Sequence, residues 1–257
     1  MHEHDENNNE VVPPYSKLAY IYDELMSYVD YKNWGSYIEK IIERWNPNAR
    51  TILDISCGTG NLLMQLNSKK YQLYGSDLSF EMLKVAQHKL AAANRSISIW
   101  QSSMCDFCLR STIDVIISLY DSVNYLLKDG DWMSMLESVY QSLQSQGLFI
   151  FDICTEQNSK RFFQNYFEKN RGEGYWYTRA SSYDRNDRIH TNRFEIYLDE
   201  HKKTFIEVHR QRILHIAEVQ SLIKQTDFKL LQIYDGLSFR PGSEHSLRVH
   251  FVLRKEP

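Results

Sequence analysis

The stretch Ile52-Leu53-Asp54-Ile55-Ser56-Cys57-Gly58-Thr59-Gly60-Asn61 runs from an apolar segment into a small-residue turn with two glycines. Leu62-Leu63-Met64-Gln65-Leu66 continues it with a helix-like pattern. This is the order of a strand, a glycine loop and a helix N-terminus. Glycine in such a loop lets backbone approach a ligand that any Cβ would exclude. An ordinary strand-to-helix turn shares the local form, so the rest of the chain has to decide.

Working outward, the pattern predicts strands at 51–55, 71–77, 96–100, 113–119 and 148–151, with helices between them. Ser79 is the expected N-cap of a helix that buries Met82, Leu83, Ala86 and Leu90. Asp131 is the expected cap of the next helix, and Gly147 its C-terminal stop. Strand and helix in alternation specify a parallel sheet with right-handed crossovers. Ligands then bind at the carboxyl ends of the strands. Upstream, Leu18, Ile21, Tyr22 and Leu25 predict an amphipathic helix over 17–27, and a second helix is expected over 32–44. Between 175 and 214 the grammar changes to three antiparallel strands joined by polar turns, after which a helix and strands at 230–234 and 248–253 resume. The expected fold is an α/β, Rossmann-like seven-stranded sheet with helices on both faces and a small antiparallel β cap. Residues 1–12, with His2 and His4, read as a disordered tail, 13–174 and 215–257 as the core, and 175–214 as the cap.

Hydrophobic content of 42% and a net charge of -3 fit a globular chain with no general pull toward nucleic acid. Cys57, Cys105, Cys108 and Cys154 are too few for a disulfide framework, and the Cys105/Cys108 pair lacks a second pair for zinc, so no metal is expected. No apolar run approaches the roughly 20 residues of a membrane helix. The N-terminal residues lack the layout of a signal peptide. A reducing cytoplasm is the expected compartment, and a homodimer is compatible with this reading.

The glycine loop can be tested against known cofactors. A dinucleotide fingerprint needs a third glycine where this chain has Leu63, and a P-loop needs a lysine followed by serine or threonine, which is absent. What remains is Asp54 four residues before Gly58, and Asp77 at the end of the next strand, where a carboxylate can accept from both ribose hydroxyls. Ile52 to Asn61, then Tyr74-Gly75-Ser76-Asp77-Leu78, then Gln101-Ser102-Ser103-Met104-Cys105-Asp106-Phe107, then Phe151-Asp152-Ile153-Cys154 resemble the ordered motifs of class I S-adenosylmethionine-dependent methyltransferases. The resemblance extends to small-molecule members related to amino-sugar N-methyltransferases, through Tyr22-Asp23, the segment Tyr120 to Leu126 and the cap.

That resemblance implies S-adenosylmethionine as cofactor, S-adenosylhomocysteine as product and a set of site residues. Ser56, Cys57, Gly58 and Gly60 would pass beneath the cofactor, and Asp77 would hold the ribose. Leu78 and Met82 would line the adenosine pocket, Ser103 and Met104 would meet the adenine, and Leu119 would floor the site. Tyr15, Tyr22 and Trp34 would close over the methionine end, although Tyr22 also fits a core stripe and Trp34 helix packing. Asp54 is expected to brace the loop. Tyr15, Tyr120 and His209 are the expected catalytic residues. Asp121, Asn124, Tyr125 and Arg212 are further substrate-contact candidates, and Trp176 and Tyr177 offer a stacking surface.

Strand alternation puts Glu207, His209 and Gln211 on one face and Arg210 and Arg212 on the other, so His209 and Arg212 are not expected in one pocket. The expected acceptor is a small polar molecule, an amine or a sugar. Three competitors are a nucleic-acid methyltransferase, a nicotinamide oxidoreductase and a non-catalytic S-adenosylmethionine-binding protein. The first is disfavoured because Ser118 to Ser122 lacks the Asp/Asn-Pro-Pro-Tyr segment, while Pro13-Pro14-Tyr15 stands at the wrong end of the fold.

Overall fold

The computed structural model describes residues 9–256. A first strand β1 (Asn9–Val11) leads into a 3₁₀ turn (Leu18–Tyr20) and one helical turn α1 (Tyr22–Leu25). Then follow α2 (Tyr31–Trp45), β2 (Thr51–Asp54), α3 (Asn61–Gln65), β3 (Gln72–Asp77), α4 (Phe80–Ala92), β4 (Ser98–Gln101) and β5 (Ile113–Ser118). A 3₁₀ turn (Ser122–Tyr125), α5 (Asp129–Ser142), β6 (Leu143–Cys154) and a short turn α6 (Glu156–Asn158) with a π-type extension (Ser159–Phe163) complete the central part. The remainder is β7 (Tyr166–Gly172), β8 (Tyr175–Asp184), β9 (Ile189–Leu198), β10 (Lys203–Arg212), α7 (Ile216–Ile223), β11 (Phe228–Asp235) and β12 (Arg248–Lys255).

The core sheet runs β11-β12-β6-β5-β2-β3-β4. β12 pairs antiparallel with both neighbours, and the pairs from β6 to β4 are parallel. Alternation sorts side chains between two cores. Leu53, Ile116, Phe149 and Phe151 pack with Trp132, Met135, Leu136 and Val139 of α5 and with Val219 and Leu222 of α7. Ile52, Val115, Ile117, Leu148 and Ile150 pack with Trp34, Ile38 and Ile41 of α2 and with Leu62 and Leu63 of α3. The sheet is therefore covered on both faces, as parallel strands require. Strand order reverses between β2 and β5, which puts the crevice where ligands bind at the C-terminal ends of those two strands.

The second sheet, β1-β10-β9-β8-β7, has five strands where the sequence predicts three. β7 adds an edge before residue 175. At the other edge Asn9–Val11 lies parallel to Thr204–Ile206, so order begins before Pro13. Residues 1–8 of the expected tail, His2 and His4 included, lie outside the described residues.

The predicted helix over 17–27 is broken into two short turns. Its period is sound, since Leu18, Ile21, Tyr22 and Leu25 do pack on the cap core. The break falls at Ile21, which leaves helical geometry at φ -115° and ψ 2°, while the Lys17 and Leu18 N–H groups at the start of the segment donate to Glu207 of β10. Gly147 also differs from expectation. α5 stops at Ser142, and Gly147 sits inside β6, where a Cβ would lie 2.8 Å from the Gln144 carbonyl oxygen. It permits the irregular start of β6 to fold back on itself beside Asp114 of β5, and is not a helix stop. Asp131 likewise falls in the first turn of α5, which Lys128 precedes as the cap position. Among the described residues no helix is long and apolar enough to cross a membrane.

Candidate active site

The glycine loop follows β2. Gly58 and Gly60 hold φ of 53° and 78°, left-handed values that favour glycine. Four of its N–H groups are already committed. Ser56 N–H donates to Asp54 Oδ1 (3.0 Å) and Cys57 N–H to the Ser76 carbonyl (2.9 Å). Gly58 N–H donates to Asp77 Oδ2 (2.8 Å) and Gly60 N–H to the Cys57 carbonyl (2.8 Å). A phosphate needs free N–H donors. With those four donors taken, the loop offers little to a phosphate, and its carbonyl oxygens suit an ammonium group.

Gly58 borders a cavity of about 660 Å³, and a Cβ added to it would meet no protein atom within 4 Å. The space beside the loop is therefore ligand-sized and reserved from side chains. Gly60 does not border that cavity. A Cβ there would sit 3.4 Å from Ala86 Cβ, so the missing side chain at Gly60 serves the packing of α3 against α4. Asp54 braces the loop as anticipated, and burial pushes its carboxyl up to about 7.

The other expected cofactor residues converge on the same cavity. Ser56, Cys57 and Leu119 border it from the loop and the end of β5; Leu78, Met82, Ser103 and Met104 border it from the β3 and β4 ends. Asp77 receives N–H groups on both oxygens, Gly58 on Oδ2 and Ser79 on Oδ1 (2.8 Å). Each oxygen keeps a second lone pair for a ligand hydroxyl. Burial raises the Asp77 carboxyl above its ordinary value, while those backbone donors oppose the rise. Ser103 has no charge to offer, and its Oγ accepts from Cys105 N–H (3.1 Å). Asp131, from α5, brings a carboxylate to this cavity, a spatial counterpart that spacing alone could not reveal.

Tyr15, Tyr22 and Trp34 border the cavity from the N-terminal lid. Tyr15 has φ of 62°, an uncommon value for a non-glycine residue. Its cause is Glu207. That carboxylate accepts Tyr15 N–H on Oε2 (2.7 Å) and Lys17 and Leu18 N–H on Oε1 (2.6 and 2.9 Å). The left-handed residue helps turn three N–H groups toward one buried anion, while the Ser16 N–H between them donates to the Pro13 carbonyl (3.2 Å). Ser79 Oγ donates to the Tyr15 carbonyl (2.9 Å), so the lid is tied to both cap and core. Asp23 adds a second tie: it accepts from Thr59 Oγ1 (2.6 Å) and Asn61 Nδ2 (2.9 Å) and ion-pairs with Lys89.

A second cavity, about 620 Å³, lies between cap and core. Tyr15, Tyr22, Tyr120 and Tyr125 border both cavities and so form the wall between them. His209 belongs to the second cavity only. Its Nε2 contacts Glu207 Oε2 (3.0 Å), its Nδ1 contacts the Tyr125 hydroxyl (2.9 Å), and Tyr125 contacts the Tyr15 hydroxyl (2.7 Å). A carboxylate can only accept, so Nε2 carries the proton in the neutral ring and Nδ1 accepts from Tyr125. Tyr125 then accepts from Tyr15. The result is a four-member chain, Tyr15–Tyr125–His209–Glu207, with Glu207 and His209 only 0% and 1% exposed. Burial raises both tyrosine hydroxyls well above their ordinary range.

Tyr120 and Asp121 also take positive φ, 65° and 51°. Strain of this kind persists only where neighbours over-determine it. Asp121 Oδ1 pairs with Arg248 Nη2 (2.6 Å), its Oδ2 accepts from Gln211 (2.5 Å), and its N–H donates to Asp152 (3.0 Å). Arg248 also pairs with Asp152 and lies 5.1 Å above the Tyr120 ring, which itself packs 4.7 Å from Trp34. Arg212 faces away from this cavity and pairs with Asp129 (2.6 Å), as alternation along β10 requires. Asn124 is buried as a strut, bonding Cys154 N–H and the Arg212 carbonyl. Tyr177 borders the cavity, whereas Trp176 stacks on Tyr197. Sequence reasoning missed Glu207 as a lid anchor, Asp23, and Arg248; only the alternation along β10 carried any hint of the first.

Residues 52–147 match the methyltransferase domain family. A putative methyltransferase of Geobacillus sp. strain WCH70 is 31% identical over 246 residues, covering 94% of this chain and 99% of the relative. A crystal structure of an S-adenosylmethionine-dependent methyltransferase from Clostridium acetobutylicum ATCC 824 superposes with a TM-score of 0.81 at 24% identity, over 95% of this chain and 99% of that one. The sugar N-methyltransferase KedS8 from Streptoalloteichus sp. ATCC 53650 superposes with a TM-score of 0.74 at 19% identity, over 93% of both chains.

Proposed function

Since this chain belongs to the S-adenosylmethionine-dependent methyltransferases, we propose that it methylates a small polar acceptor, an amine or a sugar, held in the second cavity. The observation that carries this reading is the pair of cavities separated by one wall of tyrosines. One cavity is of a size for the cofactor, the other for a small acceptor, and a methyl group has only that wall to pass. The likeness to a sugar N-methyltransferase supports an amine-bearing acceptor.

The cofactor's site is assigned to Ser56, Cys57, Gly58, Asp77, Leu78, Met82, Ser103, Met104 and Leu119, with Tyr22 and Trp34 closing it. The committed N–H groups of the loop, and the open space where a Gly58 Cβ would be, fit a sulfonium amino acid and not a nucleotide phosphate. When bound, S-adenosylmethionine supplies a methyl group already activated by the sulfonium charge. The chain's own residues then have two tasks, to hold the acceptor in line in a dry site and to accept its proton. An amine must shed a proton as it gains a methyl group. In this reading that proton passes to the Tyr15 oxygen, the Tyr15 proton to Tyr125, and the Tyr125 proton to His209 Nδ1. Glu207 stabilises the imidazolium so formed, as in other carboxylate–histidine pairs. Tyr120 is assigned to the acceptor side of the wall.

A nucleic-acid substrate is less well supported. Arg188, Arg193, Arg212, Arg240 and Arg248 are each paired with a carboxylate, so they add little free positive charge. The four unpaired thiols support a reducing, cytoplasmic setting.

Calorimetry with S-adenosylmethionine, followed by a methyl-transfer screen over a metabolite panel read out as S-adenosylhomocysteine, tests the proposal. Saturable binding and turnover of a small amine or sugar is the expected result. Turnover of RNA or DNA, with no small-molecule hit, would overturn it.

A further inference from the structure

The second cavity holds two arginines in different states. Arg248 is neutralised by Asp121 and Asp152. Arg179, on β8, forms no ion pair with a described carboxylate. The ladder places Glu168 of β7 directly opposite it, the usual position for a cross-strand charge pair. The pair is not made, and Glu168 accepts from the Tyr166 hydroxyl instead (2.5 Å).

The Arg179 side chain is held elsewhere. Nε and Nη2 both donate to Asn192 Oδ1 (3.0 and 2.9 Å), and Nε also donates to Ser181 Oγ (3.2 Å). The guanidinium lies against aromatics, 4.9 Å from the Phe163 ring and 5.5 Å from the Phe194 ring. Asn192 is itself fixed by Ser181 Oγ (2.5 Å) and is buried. One edge of the guanidinium is thus locked, while Nη1 donates to no described residue. Arg179 borders the second cavity, and a half-buried guanidinium held at one edge with donors to spare suits a planar or tetrahedral oxyanion.

We infer that Arg179 binds an anionic group of the methyl acceptor, a carboxylate or a phosphate, and so determines which acceptors the enzyme takes. The inference rests on the second cavity being the acceptor site. Arg179 is a specificity residue here, and the proton chain from Tyr15 to Glu207 does not include it. The acceptor is accordingly a small molecule with the nucleophile at one end and an oxyanion at the other.

The test uses the full chain with S-adenosylhomocysteine present. Thermal shift is followed while inorganic phosphate, pyrophosphate or succinate is titrated at constant ionic strength, in wild type, Arg179→Gln and Arg179→Lys. Wild type should be stabilised by one of the two anion classes, phosphates or the dicarboxylate, and that arm names the source. Arg179→Gln should lose the stabilisation, and Arg179→Lys should retain a weaker response. With an acceptor from the screen, Arg179→Gln should raise KM about 10- to 100-fold, the worth of a charge-assisted hydrogen bond, with kcat and S-adenosylmethionine affinity little changed. Should Arg179→Gln fail to fold, the Lys variant and wild type decide alone. Equal anion responses in wild type and variant, or equal KM values, would overturn the assignment. Absence of S-adenosylmethionine binding in wild type would instead strike at the proposed function, since the anion titration is read independently of it.

Discussion

Glu207→Gln changes one atom and tests the lid and the proton chain together. The carboxylate now accepts from Tyr15, Lys17 and Leu18 N–H and from His209 Nε2. A glutamine amide has one oxygen. If that oxygen faces Lys17 and Leu18, the amide nitrogen opposes two donors, Tyr15 N–H and His209 Nε2–H; if it is flipped, it opposes the other two. Either way two charge-assisted bonds are lost, worth about 1.5–3 kcal/mol each, or about 3–6 kcal/mol together. At about 2–4 °C per kcal/mol for a chain of this size, Tm should fall by roughly 6–24 °C.

The unflipped amide also drives His209 to the other tautomer, with Nδ1–H pointing at Tyr125. The chain then cannot take a proton from Tyr15, and kcat should drop by about 10²–10⁴, the usual contribution of a positioned base. Two assays separate these effects. Differential scanning calorimetry reads the lid. Nitrogen-15 NMR of the His209 ring reads the tautomer, with no acceptor needed. Wild type should show Nε2 protonated, and the variant Nδ1. An unchanged Tm would refute the nest, and an inverted tautomer with unchanged kcat would refute the proton chain.

Asp77→Ala removes the acceptor for two backbone N–H groups and the proposed ribose contact, so S-adenosylmethionine affinity should fall about 10²-fold or more in calorimetry; unchanged affinity removes the ribose assignment. Arg248→Met leaves Asp121 and Asp152 facing each other without compensation, and urea unfolding should show a loss of about 3–5 kcal/mol. His250 is buried, and burial lowers its pKa from 6.5 to about 3. The folded value is depressed, so this group's contribution is complete above pH 6.5 and is lost as pH falls toward 3, by at most roughly 5 kcal/mol. The stability gap between wild type and His250→Asn should therefore shrink steadily over that range in denaturant titrations; a constant gap would show that the neutral imidazole is not what the fold selects.

What was legible in the sequence was local. The strand–loop–helix at Ile52 to Leu66 and the carboxylate at Asp77 lie within 26 residues, and each follows from period, turn chemistry and the residue at a strand end. Alternation along β10 correctly set Glu207, His209 and Gln211 apart from Arg210 and Arg212. The partners of that face were not legible. Glu207 is 192 positions from Tyr15, and nothing in either neighbourhood encodes the other. The apolar period over 17–27 describes what Leu18 and Ile21 pack against, and it does not report that the backbone leaves helical geometry at Ile21. Gly147 misled for a related reason. A glycine after a helical pattern resembles a stop, and only the approach of the Gln144 and Asp114 carbonyls shows why the position tolerates no side chain.

The 192-position span between Tyr15 and Glu207 has a consequence for biosynthesis. At about 5–20 residues per second, a ribosome needs roughly 10–40 s to go from the lid to the anchor that holds it. In the later part of that interval the glycine loop and Asp77 have been made, while Tyr15 has no nest and β1 has no strand to join. A nascent chain in this state can offer a ligand the floor of the first cavity but neither the tyrosine wall nor the proton chain. On the proposed mechanism, methyl transfer then waits until the cap has been made, and a chain that stalls before β10 is expected to be inert.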